Sequence, residues 1–215
     1  MKCGRFCLLW LGKLSYIYLM DCDLIIDNIE RHLILCAEEK ETLAGFLQAE
    51  TVKKKALLQA KGDACHYIYF VNQGMLRAYF LDESGKESTI MFAVRDWWIT
   101  DMYAFADRQP AMLHIEAVKP TQLLKLSIDD MDALLAQQPR FERFFRIIFQ
   151  KAYIREQLRT IRGLSQSAEE RYQYFLTKYP HIAQHLTQKQ IASYLGITPE
   201  FLSTIRANRS AEEIS

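Results

Sequence analysis

The sequence predicts an α+β chain: an antiparallel β-roll with flanking helices, then a long helix, then a pair of short helices. Three observations carry this reading. Between Val52 and Leu126, short runs rich in aromatic and branched residues recur at nearly regular spacing, separated by turn residues. From Pro139 the apolar residues change to helical spacing and hold it for about 24 residues. Near the end, in QKQIASYLGITPEFLSTIR, two short helical patterns meet at Gly196.

The chain has 215 residues, 50% hydrophobic and 25% charged, which fits one large or two small globular domains. Cys3, Cys7, Cys22, Cys36 and Cys65 are odd in number and widely spaced, so no CxxC pair or disulfide framework can be read from them. A reducing cytoplasm is the expected location. The net charge of +1 hides an asymmetry: residues 1–139 carry 15 basic and 19 acidic groups, net −4, and residues 140–215 carry 12 and 7, net +5. A basic C-terminal third suggests that a polyanion meets that end alone, although several of its arginines lie on one helix and could be a solvated face.

The opening stretch MKCGRFCLLWLGKLSYIYLM has a basic start and an apolar run from Phe6 to Leu11. Lys13 interrupts the run, no small-x-small cleavage site follows, and the run is too short to span a bilayer. It is expected to be read from an upstream start codon, with Met20 opening the ordinary stretch MDCDLIIDNIERH. The expected organisation is an extension over residues 1–22, a roll over 23–138, a long connecting helix over 139–163 and a terminal helical unit over 164–215.

Asp23 to Leu47 show helical spacing in two groups, which predicts two short helices. The strand runs are HYIYFV, GMLRAYFL, KESTIMFAV, AMLHIEAV and TQLLKLS, and DESGK between two of them reads as a hairpin. RFERFFRIIFQKAYIREQLRTIRGL then carries an apolar stripe wider than a strict coiled-coil seam. At about 36 Å such a helix is longer than its own domain needs. It is expected to pack on a second copy of the chain, with Phe141, Phe144, Phe145, Ile148, Ala152 and Leu158 as the dimer-helix residues; the alternative is a helix lying on its own core. Gly163 is its expected end. SAEERYQYFLTKYP makes a separate helix, capped by Ser167, complemented by Glu169 and Glu170 and stopped by Pro180.

Thr187-Gln188-Lys189-Gln190 has the form of a capping box, so a helix begins near Gln188. Gly196 supplies a left-handed turn, Thr198 caps the next helix, and Pro199 takes the first helical position, where its missing N–H costs nothing. Ile191, Leu195, Leu202 and Ile205 face inward. Glu200, Ser203, Thr204 and Arg206 remain outside, a small polar face suited to the major groove of DNA. There glutamate accepts from cytosine and arginine donates to guanine, while Thr187, Gln188 and Lys189 can hold phosphate. Helix pairs with a glycine turn also occur in folds that bind no DNA.

The order of roll, long helix, short helix and helix-turn-helix resembles the catabolite-activator (Crp/Fnr) family of bacterial transcription regulators. The resemblance covers roughly Asp23 to Arg206, and its most specific parts are LTQKQIASYLGITPEFLSTIR and GDACHYIYFVNQGMLRAYFLDESGKES. It implies a cyclic-nucleotide-binding-like jelly roll as sensor, a dimerising long helix and a terminal unit that binds a palindromic promoter site. The family's recognition-helix glutamate corresponds to Glu200. Two arginines flanking it in the family correspond to Pro199 and Thr204, so base preference should differ. A hinge near Gln150 to Gly163 is expected to set the spacing of the two recognition helices.

The resemblance also says what the roll lacks. The family's Arg-Ser, which holds a cyclic phosphate, falls on Ala111-Met112 in RQPAMLHIEAV, and its Gly-Glu, which holds the ribose, falls on Thr100-Asp101. Asp101 could keep a weakened ribose contact and Arg108 could swing toward the phosphate. Cyclic AMP is therefore not the expected effector. Trp97, Trp98, Met102, Tyr103 and Phe105 either line a pocket for a less charged, unknown small molecule or fill the roll's core. Thr100, Asp101, Arg108, Ala111 and Met112 complete the candidate pocket. The cysteines lack iron–sulfur spacing, and His66 and His114 are isolated, so neither cofactor nor metal is expected. The family's two-stranded wing has no counterpart in ANRSAEEIS, so either this branch omits it or the chain is cut short.

The expected function is a homodimeric, cytoplasmic DNA-binding transcription regulator that acts on double-stranded DNA, with a contact to RNA polymerase and no membrane. The competing reading is a non-DNA-binding sensor or regulatory subunit whose terminal helices dock a protein partner. An enzyme is a distant third, because no nucleophile–base pair, phosphate loop or metal-ligand spacing is visible.

Overall fold

A computed structural model of the chain describes residues 22–212. The segment expected from an upstream start codon lies outside the described residues. Two helices open the fold, α1 (Asp23–Glu30) and α2 (Ala37–Phe46). Among the described residues eight strands follow: β1 (Gln48–Val52), β2 (Leu57–Gln59), β3 (Tyr67–Gln73), β4 (Met75–Leu81), β5 (Glu87–Val94), β6 (Trp98–Ile99), β7 (His114–Ala117) and β8 (Thr121–Ser127). Helix α3 (Met102–Ala106) lies between β6 and β7. The later helices are α4 (Ile128–Gln137), α5 (Phe141–Ser165), α6 (Ala168–Lys178), α7 (Pro180–Ala183), α8 (Gln188–Leu195) and α9 (Pro199–Glu212).

The strands make two four-stranded antiparallel sheets, ordered β1-β8-β3-β6 and β2-β7-β4-β5. The β4–β5 hairpin closes on DESGK, where Asp82 Oδ1 accepts the amides of Ser84 at 2.9 Å and Lys86 at 3.0 Å. Gly74, at φ +103, is required between β3 and β4, since a Cβ there would sit 2.5 Å from the Pro120 carbonyl oxygen.

The continuous apolar run of β3 is explained by burial on both of its faces. Tyr69 and Val71 point between the sheets, with Leu76, Ala78, Ile115 and Leu123. Ile68 and Phe70 point the other way, with Leu124 and Leu126, into a layer covered by α1, α2, α4 and the start of α5. Met75, Phe92 and Val118 form a third layer, on the outer face of the second sheet, against residues of α6 to α9. The terminal helices therefore share a core with the roll.

The long helix differs from expectation at both ends. It starts at Phe141 rather than Pro139 and runs through Gly163 to Ser165, with Gln166 the first extended residue at φ −114 and ψ 148. A lone glycine costs a helix only about 1 kcal/mol relative to alanine, too little to end one. No break falls between Gln150 and Gly163, so the turn toward the terminal unit comes at Gln166 instead.

The expected dimer face also needs correction. Phe141, Phe144 and Phe145 are 0%, 0% and 3% exposed in the roll's own helical layer, and Ile148 packs against it. Phe144 lies 5.2 Å from Phe145 and 6.1 Å from Trp98, ring centre to ring centre. Ala152 faces the roll across a cavity. These side chains cover apolar surface of the first sheet that would otherwise meet water. Leu158 is the one expected dimer-helix residue left exposed, and it joins Tyr153, Ile154, Ile161 and Leu164 in an uncovered apolar set.

Candidate nucleic-acid interface

The terminal unit is built as its sequence predicts. Thr187 Oγ1 accepts the Gln190 amide at 3.2 Å and Gln190 Oε1 accepts the Thr187 amide at 3.0 Å, a reciprocal box that starts α8. Gly196 is left-handed at φ +70, and the next amide, Ile197, returns to the Ala192 carbonyl at 3.0 Å. Thr198 Oγ1 accepts the Phe201 amide at 3.2 Å and starts α9. Ile191, Ala192, Leu195, Leu202 and Ile205 are buried with Tyr172, Phe175 and Ile182 of the preceding helices.

Burial of one stripe on each helix fixes what faces out. Thr187, Gln188, Lys189, Pro199, Glu200, Ser203, Thr204 and Arg206, the candidate DNA-binding residues, are all exposed. Ser203 Oγ donates to Gln188 Oε1 at 3.2 Å, which joins the start of α8 to the outer face of α9. Phe201, 51% exposed on the same helix, was missed by sequence reasoning; an apolar ring there can meet a thymine methyl. Its signal was a large aromatic outside the inward stripe. The described part of ANRSAEEIS, through Glu212, continues α9.

A feature that the sequence did not announce is the way α8 lies against the roll. Ser193 Oγ donates to the Glu87 carbonyl at 2.8 Å and accepts the Thr89 amide at 2.8 Å, at β5. Tyr194 packs on Phe92 with ring centres 5.6 Å apart. From α5 the Arg159 guanidinium donates to the Thr89 carbonyl at 2.8 Å, the Tyr194 carbonyl at 3.0 Å and the Ile90 carbonyl, and so ties three elements together. Lys189 Nζ stands 3.3 Å from Glu87 Oε1, so a phosphate contact by this lysine requires an exchange of partners.

Glu87 is held from beneath as well, by the buried Arg77, which also pairs with Glu116 at 3.1 Å. Burial pushes the Glu87 carboxyl up, but Arg77 and then Lys189 outweigh it and hold the group below the ordinary carboxylate range. Replacing Arg159 by alanine would leave three carbonyls without their charged donor. The contact between α8 and β5 is expected to weaken by about 2–3 kcal/mol. Amide hydrogen exchange checks this: α8 and β5 should exchange faster while β3 keeps its rate.

The expected effector pocket divides. A cavity of about 580 Å³ between β6, α1 and α5 is lined by Trp97, Trp98, Thr100 and Met102, facing Ile148, Phe149 and Tyr153. Trp98 Nε1 donates to Asn28 Oδ1 at 3.1 Å, which fixes its ring at the cavity wall. Asp101, Arg108, Ala111 and Met112 do not line it. The Asp101 carboxylate is buried and accepts the amides of Met112 at 2.7 Å, Leu113 at 2.9 Å and Ala104 at 3.4 Å, so it is engaged by its own backbone surroundings. Arg108 is surface-bound in a fork to Asp129 at 2.7 Å and Asp132 at 2.8 Å. Ala111 is buried, Met112 is exposed, and Tyr103 faces solvent while Phe105 fills the core.

Among the described residues no group of three or more His, Cys, Asp or Glu is placed to hold a metal ion, and no helix is long and apolar enough to cross a membrane. Roll, long helix and terminal helix pair together define the class by fold: a β-roll joined through a long helix to a pair of helices with a glycine turn. Residues 49–138, from β1 to the end of α4, match the family model of the cyclic nucleotide-binding domain. The whole arrangement resembles the Crp/Fnr transcription regulators. A structure described as a crp/fnr-family transcriptional regulator from Eubacterium rectale ATCC 33656 is 18% identical, covers 83% of this chain and 85% of its own, and superposes with a TM-score of 0.68. The c-di-GMP responsive global regulator CLP of Xanthomonas campestris is 12% identical over 83% of this chain and 93% of its own, with a TM-score of 0.69. FixK2 of Bradyrhizobium japonicum is 18% identical over 78% and 86%, with a TM-score of 0.67. No curated protein sequence matches.

Proposed function

We propose that the chain is a homodimeric, DNA-binding transcription regulator of Crp/Fnr type whose roll does not bind cyclic AMP. The observation that carries this reading is the terminal helix pair: a capped helix, a left-handed glycine and a second helix with Glu200, Ser203, Thr204 and Arg206 exposed on its outer face. The exposed set of Ile154, Leu158, Ile161 and Leu164 supports the dimer, because it recurs every three or four residues along one side of α5. Two copies joined there would hold two recognition helices for half-sites about 34 Å apart. The turn at Gln166 is the hinge that would set their spacing.

Selection from random duplexes tests the reading. It should enrich a two-fold symmetric sequence, and recovery of no common sequence would remove the DNA-reading function. The account of the roll rests on Ala111 and Met112 where the resemblance calls for Arg-Ser, and on the satisfied Asp101 and Arg108. Calorimetry with cyclic AMP is expected to give no heat, and clear micromolar binding would contradict it. The apolar cavity beside Trp98 is the place for an effector of lower charge.

A further inference from the structure

The outer face of the second sheet carries a charge imbalance that α8 corrects. Arg77 of β4, 3% exposed, is held between two carboxylates, Glu87 of β5 and Glu116 of β7. One guanidinium against two carboxylates leaves an excess negative charge beside α8. Lys189 supplies the matching cation, with Nζ 3.3 Å from Glu87 Oε1. The two residues are 102 positions apart, so the fold and not a local preference brings them together.

Glu87 is fixed while its partner is mobile. Arg77 anchors the carboxylate from beneath, donates from Nε to Thr89 Oγ1 at 3.0 Å, and lies 4.2 Å from the Tyr79 ring centre. Thr89 Oγ1 is in turn 2.9 Å from Ser193 Oγ of α8, and Ser193 donates to the Glu87 carbonyl at 2.8 Å. The chain of contacts that holds the carboxylate therefore also holds α8 on β5. Lys189 is 68% exposed and can swing, whereas Glu87 is 25% exposed and cannot.

An ion pair with so exposed a member adds little to stability, but it changes what an incoming anion meets. Lys189 is the second residue of α8, among the exposed residues at that helix start. A phosphate that reaches it must displace Glu87 and then lie close to a fixed negative charge. By linkage, a phosphate that takes Lys189 weakens the docking of α8 as much as the docking weakens the phosphate.

We propose that Glu87 is a built-in competitor for the DNA phosphate at Lys189, so that the roll lowers DNA affinity for as long as α8 lies on β5. Movement of α8 away from β5 frees the lysine and raises affinity without any change in the outer face of α9. The inference rests on the DNA-binding reading and adds to it an affinity-setting residue outside the helix pair.

Fluorescence anisotropy of the full chain with a random-sequence duplex of about 30 base pairs, at about 50 mM salt where phosphate contacts dominate, tests it. Glu87→Gln keeps the side-chain shape and leaves Glu116 to balance Arg77, and it should tighten the duplex about fivefold. In a Lys189→Ala background the same change should alter affinity by less than about twofold, because no cation is left to release. Affinity unmoved by Glu87→Gln, or an equal gain in both backgrounds, would overturn the inference and leave DNA binding standing. Failure of every one of these chains to bind the duplex would overturn both. If Glu87→Gln loses its circular dichroism signal, Ser193→Ala decides, since it loosens α8 from β5 and keeps the carboxylate on Arg77. A gain in affinity is then expected, and an unchanged affinity overturns the inference.

Discussion

Replacing Ser203 and Arg206 together by alanine is expected to lower affinity for a selected operator duplex by about 2–4 kcal/mol, on the order of 30- to 1000-fold, with the thermal unfolding midpoint unchanged. Both residues are exposed on the outer face of α9, three positions apart, while their neighbours Leu202 and Ile205 carry the packing. Truncation therefore removes the proposed donors to base edges without opening a cavity. Anisotropy titration against the selected duplex and base-pair variants gives the sharper reading. Arg206→Ala should relax preference at one position, whereas Lys189→Ala should weaken all sequences alike and lower the salt slope by about one. Equal loss on every duplex from Arg206→Ala would mean that this side chain touches phosphate alone.

Changing Ile154, Leu158 and Ile161 to glutamate is expected to turn the proposed dimer into a monomer in sedimentation experiments. Each side chain is roughly half exposed in the single chain and would be covered by the partner. Each covered aliphatic group contributes about 1–2 kcal/mol, and the loss counts on both copies, so the dissociation constant should rise by more than about 1000-fold. Operator affinity should fall with it, since the second half-site would no longer be held at high effective concentration. The folded roll should persist, because the residues that close it, Phe141, Phe144 and Phe145, lie in the first turns of the same helix. A sedimentation value unmoved by the triple change would contradict the proposed dimer through this face of α5.

The division of labour along α5 shows where sequence pattern stops being informative. A stripe of apolar residues every three or four positions predicts burial of one face, but not whether the roll or a second copy does the burying. The local chemistry was legible: the box of Thr187 and Gln190, the Ser167 cap and the left-handed Gly196 each need only neighbours within a few residues. The five strand runs were legible because aromatic and branched residues mark a pleated, buried surface. By contrast β1, QAETV, is an edge strand with little buried apolar surface, and β2 and β6 are two or three residues long, so no periodicity could reveal them.

Of the candidate site, exposure was legible. Outward positions on α9 follow from helical spacing, and all eight expected DNA-binding residues are exposed. Contacts between residues far apart in the chain were not readable, and these decide the rest. Lys189 meets Glu87, 102 residues away, and Ser193 meets Thr89, 104 residues away. Asp101 turns its carboxylate onto the amides of Met112 and Leu113, and Arg108 turns toward α4. Each satisfies a charge or a backbone donor that the fold itself brings near.

The most direct measurement is fluorescence anisotropy of the full chain with the selected duplex and with a scrambled duplex of equal length, across a range of salt. Two chains should bind per selected duplex, at least about 1000-fold tighter than the scrambled one, with affinity falling linearly in log salt. Equal affinity for the two duplexes, or one chain per duplex, would contradict the account.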